Sequence, residues 1–213
     1  MSRNFVIIAN GSYPVHPVPL NALNQADVLV ACDGAAETLT ANGICPDHVV
    51  GDLDSLNDDL KKQFADRLIH EEEQETNDLS KAFRFVCRTM KTEDQLIILG
   101  ATGKREDHTL GNISLLADFS ATHPNVRMIT DTGIFFPVTQ NGTFESIPGQ
   151  QISIFNPSGE TVRINGSGLK YPINDLALAR WWTATLNTAL DDHFSISFTS
   201  GNGPLIIFAA HIS

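Results

Sequence analysis

The sequence predicts an α/β chain: an N-terminal doubly wound, mostly parallel sheet domain followed by a C-terminal antiparallel β-sandwich domain. Three observations carry this expectation. Between residue 4 and about residue 136, short unbroken apolar runs alternate with helical patterns. Unbroken runs are what strands covered on both faces require, and strand–helix alternation implies right-handed crossovers between parallel strands. After residue 140 the apolar period becomes two and turn signals multiply, at Asn141-Gly142, Pro148-Gly149 and Asn156-Pro157-Ser158-Gly159. The switch places a boundary within residues 137–142 and gives domains 1–138 and 139–213.

Taken in order, the first-domain strands are expected at residues 5–9, 28–31, 48–50, 67–70, 96–99 and 126–130. A helix begins at Gly34 and stops at Asn42-Gly43, with Pro46 beyond. A second is marked by Leu79, Phe83, Val86 and Met90 on one face, with Thr76-Asn77 offering capping side chains just ahead. In the second domain, residues 151–154, 161–164 and 194–198 alternate apolar with polar side chains.

Composition narrows the function. Of the 213 residues, 42% are hydrophobic and 18% charged, a globular balance that argues against wholesale disorder. Acidic residues outnumber basic ones 25 to 14, for a net charge of −11. That excess disfavours a nucleic-acid or anionic-membrane surface, while leaving room for a local basic patch around a small anion. The apolar runs fall far short of the ~20 residues a membrane helix needs. Met1-Ser2-Arg3-Asn4 leads straight into the first strand with no secretory signal. Cys32, Cys45 and Cys87 form no CxxC pair, so reduced thiols in a cytoplasmic protein are expected.

Ligands of open α/β sheets bind outside the carboxyl ends of the strands. There the sequence places Asp33-Gly34, then Gly51-Asp52-Leu53-Asp54-Ser55, then Thr76-Asn77-Asp78, then the run from Gly100 to His108. These turns offer Asp33, Asp52, Asp54, Asp78 and Asp107. Carboxylates crowded into one crevice repel unless a cation stands between them. Oxygen donors without a cysteine–histidine cluster suit Mg²⁺ rather than zinc, with water and phosphates completing its shell. At a spacing of two, Asp52 and Asp54 would leave an extended segment on the same side. The plain alternative is a solvated loop, since residues 47–78 hold 11 acidic and 3 basic residues. Asp78 could equally serve the dipole of a helix start, and Glu71-Glu72-Glu73 reads as a solvated run.

Gly100-Ala101-Thr102-Gly103-Lys104-Arg105 is the phosphate candidate, because glycine backbone N–H groups can approach a phosphate and Lys104 and Arg105 add charge. It matches neither the Walker A pattern nor the dinucleotide fingerprint. Its alternative is a tight strand-to-helix connection, with Asp107-His108 as a helix cap and a surface histidine. Tyr171 has a core role as its alternative, and Trp181-Trp182 read as packing or interface anchors.

Taken together, the ordered segments from Asp33 to Ala36, Gly51 to Ser55, Thr76 to Ala82, Leu99 to Asn112, and Gly168-Leu169-Lys170-Tyr171-Pro172 resemble the thiamine pyrophosphokinase family over nearly the full chain. The resemblance implies an α/β catalytic domain, a β-sandwich, and a homodimer with active sites at the subunit interface. The implied reaction transfers the pyrophosphoryl group of ATP, the co-substrate, to the hydroxyl of thiamine and releases AMP, with Mg²⁺ as cofactor. By the same resemblance Asp52, Asp54 and Asp78 surround the metal and act in catalysis, with Asp33 beside them. Asp33, Lys81, Gly103, Arg105, Asp107, His108 and Asn112 are implied at the nucleotide, and Gln74, Tyr171, Asn187 and Thr188 at thiamine. Asp78 and Asp54 both remain open as acceptor of the hydroxyl proton. The chain departs from the family pattern at Leu186 (serine there), Asn77 (commonly threonine) and Lys104-Arg105-Glu106 (commonly Gly-Arg-Leu). Two other readings compete: another magnesium- and nucleotide-dependent transferase with a DxD metal site, and a non-catalytic nucleotide- or thiamine-binding module.

Overall fold

The computed structural model describes residues 2–212. The elements in chain order are β1 (Asn4–Ile8), α1 (Pro17–Asn24), β2 (Val28–Cys32), α2 (Ala35–Ala41), β3 (His48–Gly51) and α3 (Asp58–Gln63). A 3₁₀ turn (Ala65–Arg67) then leads into β4 (Leu68–His70), α4 (Asp78–Cys87), β5 (Gln95–Leu99), α5 (Glu106–Ser120) and β6 (Val126–Ile129). The remaining elements are all strands: β7 (Gly133–Val138), β8 (Gly142–Glu145), β9 (Gln151–Phe155), β10 (Val162–Ser167), β11 (Ile173–Leu178), β12 (Ala184–Thr188), β13 (His193–Ser200) and β14 (Leu205–Ala210).

The chain divides into two compact units. The first runs to Leu115 and adds Met128–Asp131; the second comprises Leu116–Arg127 and the residues from Thr132 onward.

In the first unit, β5, β1, β2, β3 and β4 lie side by side in that order, each pair parallel. Val6 faces Leu29 on one side and Ile97 on the other. Phe5, Val6, Ile7 and Ile8 are all buried, as an apolar run needs to be when both faces of its sheet are covered. Helix α4 buries Leu79, Ala82, Phe83 and Val86, the stripe its periodicity predicts, but ends at Cys87, so Met90 lies beyond it. Of the two expected capping residues only Asn77 serves: its side-chain oxygen accepts the N–H of Ser80 at 3.0 Å. Helix α2 begins after Gly34 and closes at Asn42, as expected.

In the second unit all pairing is antiparallel, in one sheet ordered β12-β9-β14-β7 and another ordered β11-β10-β13-β8. Ile152, Ile154 and Ile207 of the first sheet and Ile164, Phe194 and Ile196 of the second fill one buried core, which makes this unit a sandwich. Phe144 bridges the core rim, 5.5 Å from the Phe136 ring and 5.4 Å from that of Phe194. The three alternating segments expected in this half form β9, β10 and β13. No helix among the described residues is long and apolar enough to cross a membrane.

Candidate active site

The order β5-β1-β2 contains a reversal: the chain moves outward from β1 to β4 and then returns to the other side of β1 as β5. At such a switch point the loops leaving two neighbouring strands part and open a crevice. Here the loops are Ala9-Asn10-Gly11-Ser12 after β1 and Gly100-Ala101-Thr102-Gly103 after β5. Backbone bonds hold them together beyond the sheet, from Gly11 N–H to the Gly100 oxygen (2.6 Å) and from Ser12 N–H to the Thr102 oxygen (2.8 Å). Gly103 has φ +92°, and a Cβ there would stand 2.5 Å from the Ser12 hydroxyl, so only glycine fits this turn.

The crevice is a cavity of about 380 Å³ lined by both loops, the turn after β3, the start of α4 and the first turns of α5. Among the predicted site residues, Asp52, Gln74, Asp78, Lys81, Arg105, His108 and Asn112 line it. Asp33, Asp54, Gly103 and Asp107 do not. Asn10, Gly11, Ser55 and Thr109 also line it without having been among the predicted site residues, as does Lys104, which was expected at a phosphate. An Asn-Gly step immediately after the first buried strand was the available signal for the first two.

Lys81 is the centre of charge. Its side chain is 2% exposed, and its Nζ lies 3.3 Å from Asp78 Oδ1 and 3.9 Å from Asp52 Oδ2. A buried ammonium is tolerable only beside opposite charge, and two carboxylates supply it. Burial pushes the Asp78 carboxyl above its ordinary pKa, opposed by Lys81 and reinforced by the charges of Asp52 and Asp33. Asp52 shifts the other way, held ionised first by the N–H of Asp54, then by the Gln74 amide and Lys81. Asp33, at 2% exposed, lies beneath: its Oδ2 accepts the N–H of Ser55 at 3.1 Å. Its buried Oδ1 has no hydrogen-bond partner among the described residues.

The expected extended Asp52-Leu53-Asp54 segment is a turn. Leu53 takes φ +64°, a left-handed conformation, and Asp54 N–H reaches back to Asp52 Oδ1 at 3.2 Å. The two side chains therefore do not leave on one side, and Asp54 is exposed. Among the described residues no group of three or more His, Cys, Asp or Glu side chains gathers around a common point for a metal. What the cavity does offer a cation is the pair Asp52 and Asp78, already sharing one in Lys81. Two carboxylates suit Mg²⁺, which prefers to complete its shell with water and phosphates.

On the α5 side, Arg105 forks onto Asp107, at 3.0 Å (Nε to Oδ1) and 2.5 Å (Nη2 to Oδ2). Asp107 also accepts the His108 N–H at 2.9 Å, and these contacts hold its carboxyl down at about 2. Lys104 Nζ donates to Asn10 Oδ1 at 3.1 Å, tying the β5 loop to the β1 loop at the cavity wall. Asn112 is buried, donating to the Ala101 oxygen (2.9 Å) and accepting from the Asn77 amide (3.1 Å), and so sets the starts of α4 and α5 against one loop. Three cationic or ionisable groups in this wall (Lys104, Arg105, His108) and Lys81 face the same space, a polarity suited to a polyphosphate.

The second unit holds the remaining predicted residues. Tyr171 is 58% exposed, so the core role open to it does not apply. Lys170 Nζ sits 5.7 Å from its ring. Asn187 is buried; its Oδ1 accepts the N–H groups of Tyr171 (3.0 Å) and Thr188 (2.8 Å), and its Nδ2 donates to the Tyr171 oxygen (2.9 Å). All three bonds serve the protein itself, so Asn187 holds the Tyr171 backbone while the ring stays free. Leu186, in the departing position, takes φ +60° and leaves its side chain exposed.

Residues 20–129 match the family model for the thiamin pyrophosphokinase catalytic domain, and residues 133–208 that for the thiamin pyrophosphokinase substrate-binding domain. A thiamine pyrophosphokinase of Bacillus subtilis (strain 168) is 26% identical over 207 residues, spanning 94% of this chain and 95% of the relative. The crystal structure of thiamine pyrophosphokinase from Bacillus subtilis shares the fold at a TM-score of 0.80 and 22% identity, covering 99% of this chain and 100% of that one. Thiamin pyrophosphokinase from Candida albicans does so at 0.80 and 17% identity, covering 100% and 90%.

Proposed function

The chain belongs to the thiamin pyrophosphokinase family, and on that premise we propose that it transfers the pyrophosphoryl group of ATP to the hydroxyl of thiamine. The observation that carries the reading is the buried Lys81 beside Asp52 and Asp78, in a switch-point cavity that also holds Lys104, Arg105 and His108. Thiamine's oxygen bonds to the β-phosphorus, the bond from that phosphorus to the oxygen bridging to the α-phosphate breaks, and AMP departs with that oxygen. Asp52 and Asp78 would hold Mg²⁺, which supplies charge neutralisation on the transferring phosphates. Lys81 donates to a phosphate oxygen from a buried position, where a fixed charge counts for more than in water. Arg105, freed from Asp107, and His108 bind the nucleotide at the cavity wall, with Gly103 allowing the close turn. Asp78 rather than Asp54 takes the hydroxyl proton, because only Asp78 faces the cavity.

For thiamine we assign Gln74, beside Asp52, and Tyr171, whose exposed ring suits a cationic thiazolium. Asn187 holds the Tyr171 backbone, and Thr188 is its neighbour in the same strand. The exposed Tyr171, Trp182, Leu186 and Leu190 support a homodimer formed through the second unit, and light scattering should then give twice the chain mass. The free thiols of Cys32, Cys45 and Cys87 support a reducing, cytoplasmic setting. The deciding experiment incubates the protein with ATP, Mg²⁺ and thiamine. Equimolar AMP and thiamine diphosphate are expected; neither product forming would overturn the reading.

A further inference from the structure

The acidic run after β4 does more than face solvent. Glu73 turns back on its own loop, where its Oε2 accepts the N–H groups of Glu75 (3.0 Å) and Thr76 (3.1 Å). Its Oε1 accepts the Thr76 hydroxyl and, at 2.6 Å, Arg84 Nη2. Arg84 Nη1 donates to the same Thr76 oxygen at 3.1 Å. Four residues further along, Arg88 grips the start of the segment through Glu71, at 3.0 Å. Residues four apart share one face of a helical turn, so the two arginines hold segment 71–76 from one side. Between the grips stands Gln74, which lines the cavity and donates to Asp52 Oδ2 at 3.3 Å.

We propose that Glu73 and Arg84 are positioning residues whose ion pair clamps the turn carrying Gln74, so that its amide is held beside Asp52 where the alcohol substrate binds. This rests on the assignment of thiamine as that substrate. The contacts hold the Glu73 carboxyl at about 2, so the clamp is fully charged throughout the neutral range. Both partners are partly exposed, 42% and 35%. Exposed pairs add little to stability, so what this one supplies is geometry.

The test compares Arg84→Met, Arg84→Lys and Gln74→Ala with a double variant carrying Arg84→Met and Gln74→Ala. Arg84→Met should raise the thiamine KM roughly 5- to 10-fold, with the ATP KM within about 2-fold and an unchanged melting curve. Arg84→Lys, which keeps the charge, should recover part of the loss. On the Gln74→Ala background the same substitution should add less than about 2-fold, because the clamp acts through Gln74. Equal rises in both KM values, full additivity with Gln74→Ala, or an unmoved thiamine KM would each overturn the inference. A wild-type protein that makes no thiamine diphosphate would instead overturn the proposed function. The clamp is then read by NMR: the Gln74 side-chain amide should shift in Arg84→Met and return in Arg84→Lys, and an unmoved resonance overturns the inference.

Discussion

Leu53 spends conformational strain to make Asp52 what it is. At φ +64° a leucine sits in a region that costs a non-glycine residue about 1–2 kcal/mol, and the turn it creates aims the Asp54 N–H at the Asp52 carboxylate. Asp54 thus reaches the site through its backbone N–H, and its exposed side chain is expected to matter less than that of Asp52. Asp52→Asn should cut AMP-forming turnover by at least ~100-fold, whereas Asp54→Asn should stay within about 10-fold, both melting within a few degrees of the parent. Equal losses in steady-state assays would return Asp54 to the site. Gly51 is constrained from the other side. A Cβ there would stand 2.8 Å from the Cβ of buried Asp33 and 3.3 Å from Asp78 Oδ1. Gly51→Ala should therefore lower stability by roughly 1–3 kcal/mol in urea unfolding and impair turnover through Asp78. Asp52, Asp78, Arg105 and His108 were legible as polar residues at strand ends. The exposure of Asp54 was not, because nothing in Asp52-Leu53-Asp54 announces a left-handed leucine.

Helix α4 shows how an element delivers side chains. Its first turn presents Asp78, its second Lys81, and its outer side Arg84, while Leu79, Ala82, Phe83 and Val86 anchor it. The Asn77 cap sets where that turn begins, and its amide also supplies the buried Asn112 oxygen. Asn77→Ala should cost about 1–2 kcal/mol, of which Asn77→Ser restores the capping part alone, measurable as shifts in urea midpoint at constant slope. Indifference to both substitutions would mean that the helix start is set by packing. This helix was visible in the sequence because its stripe is strong. The expected strands 28–31, 48–50 and 96–99 likewise fall within a residue of β2, β3 and β5. β7 was hidden by Pro137, a residue that argues against a strand, and β14 by an unbroken apolar run without alternation. Helix α1 starts with two prolines in its first three positions, which reads as loop until the helix start is seen to need no donor there.

Over the whole molecule, parallel pairing belongs to β1–β5 and antiparallel pairing begins with β7 (Gly133–Val138), a few residues ahead of the change in apolar period after residue 140. Each unit carries its own acid-sensitive contacts. Glu73 and Asp107 in the first unit and Asp175 in the second all have carboxyls held at about 2. Asp175 owes this first to Arg163, with Thr199 adding a second bond. A depressed folded-state pKa contributes stability that is present above the unfolded value, near 4 for such groups, and disappears as pH falls towards 2. Asp78, whose pKa is raised mainly by burial, opposes this, since its protonation favours the fold as pH falls. Asp52, Asp94 and Asp192 are held low as well, so six depressed carboxyls stand against one raised among the described residues. Stability should decline between about pH 4.5 and pH 2, and added salt should flatten the decline where the pairs are exposed. Both tryptophans, Trp181 and Trp182, lie in the second unit, whereas α1 to α4 lie in the first. Tryptophan fluorescence therefore follows the loss of the Arg163–Asp175 pair, and far-ultraviolet dichroism follows that of Glu73–Arg84. Asp175→Asn should shallow the acid dependence of the fluorescence-detected transition, and Glu73→Gln that of the dichroism-detected one. A transition whose midpoint is flat or rises as pH falls through this window would show that the pairs contribute nothing to folding.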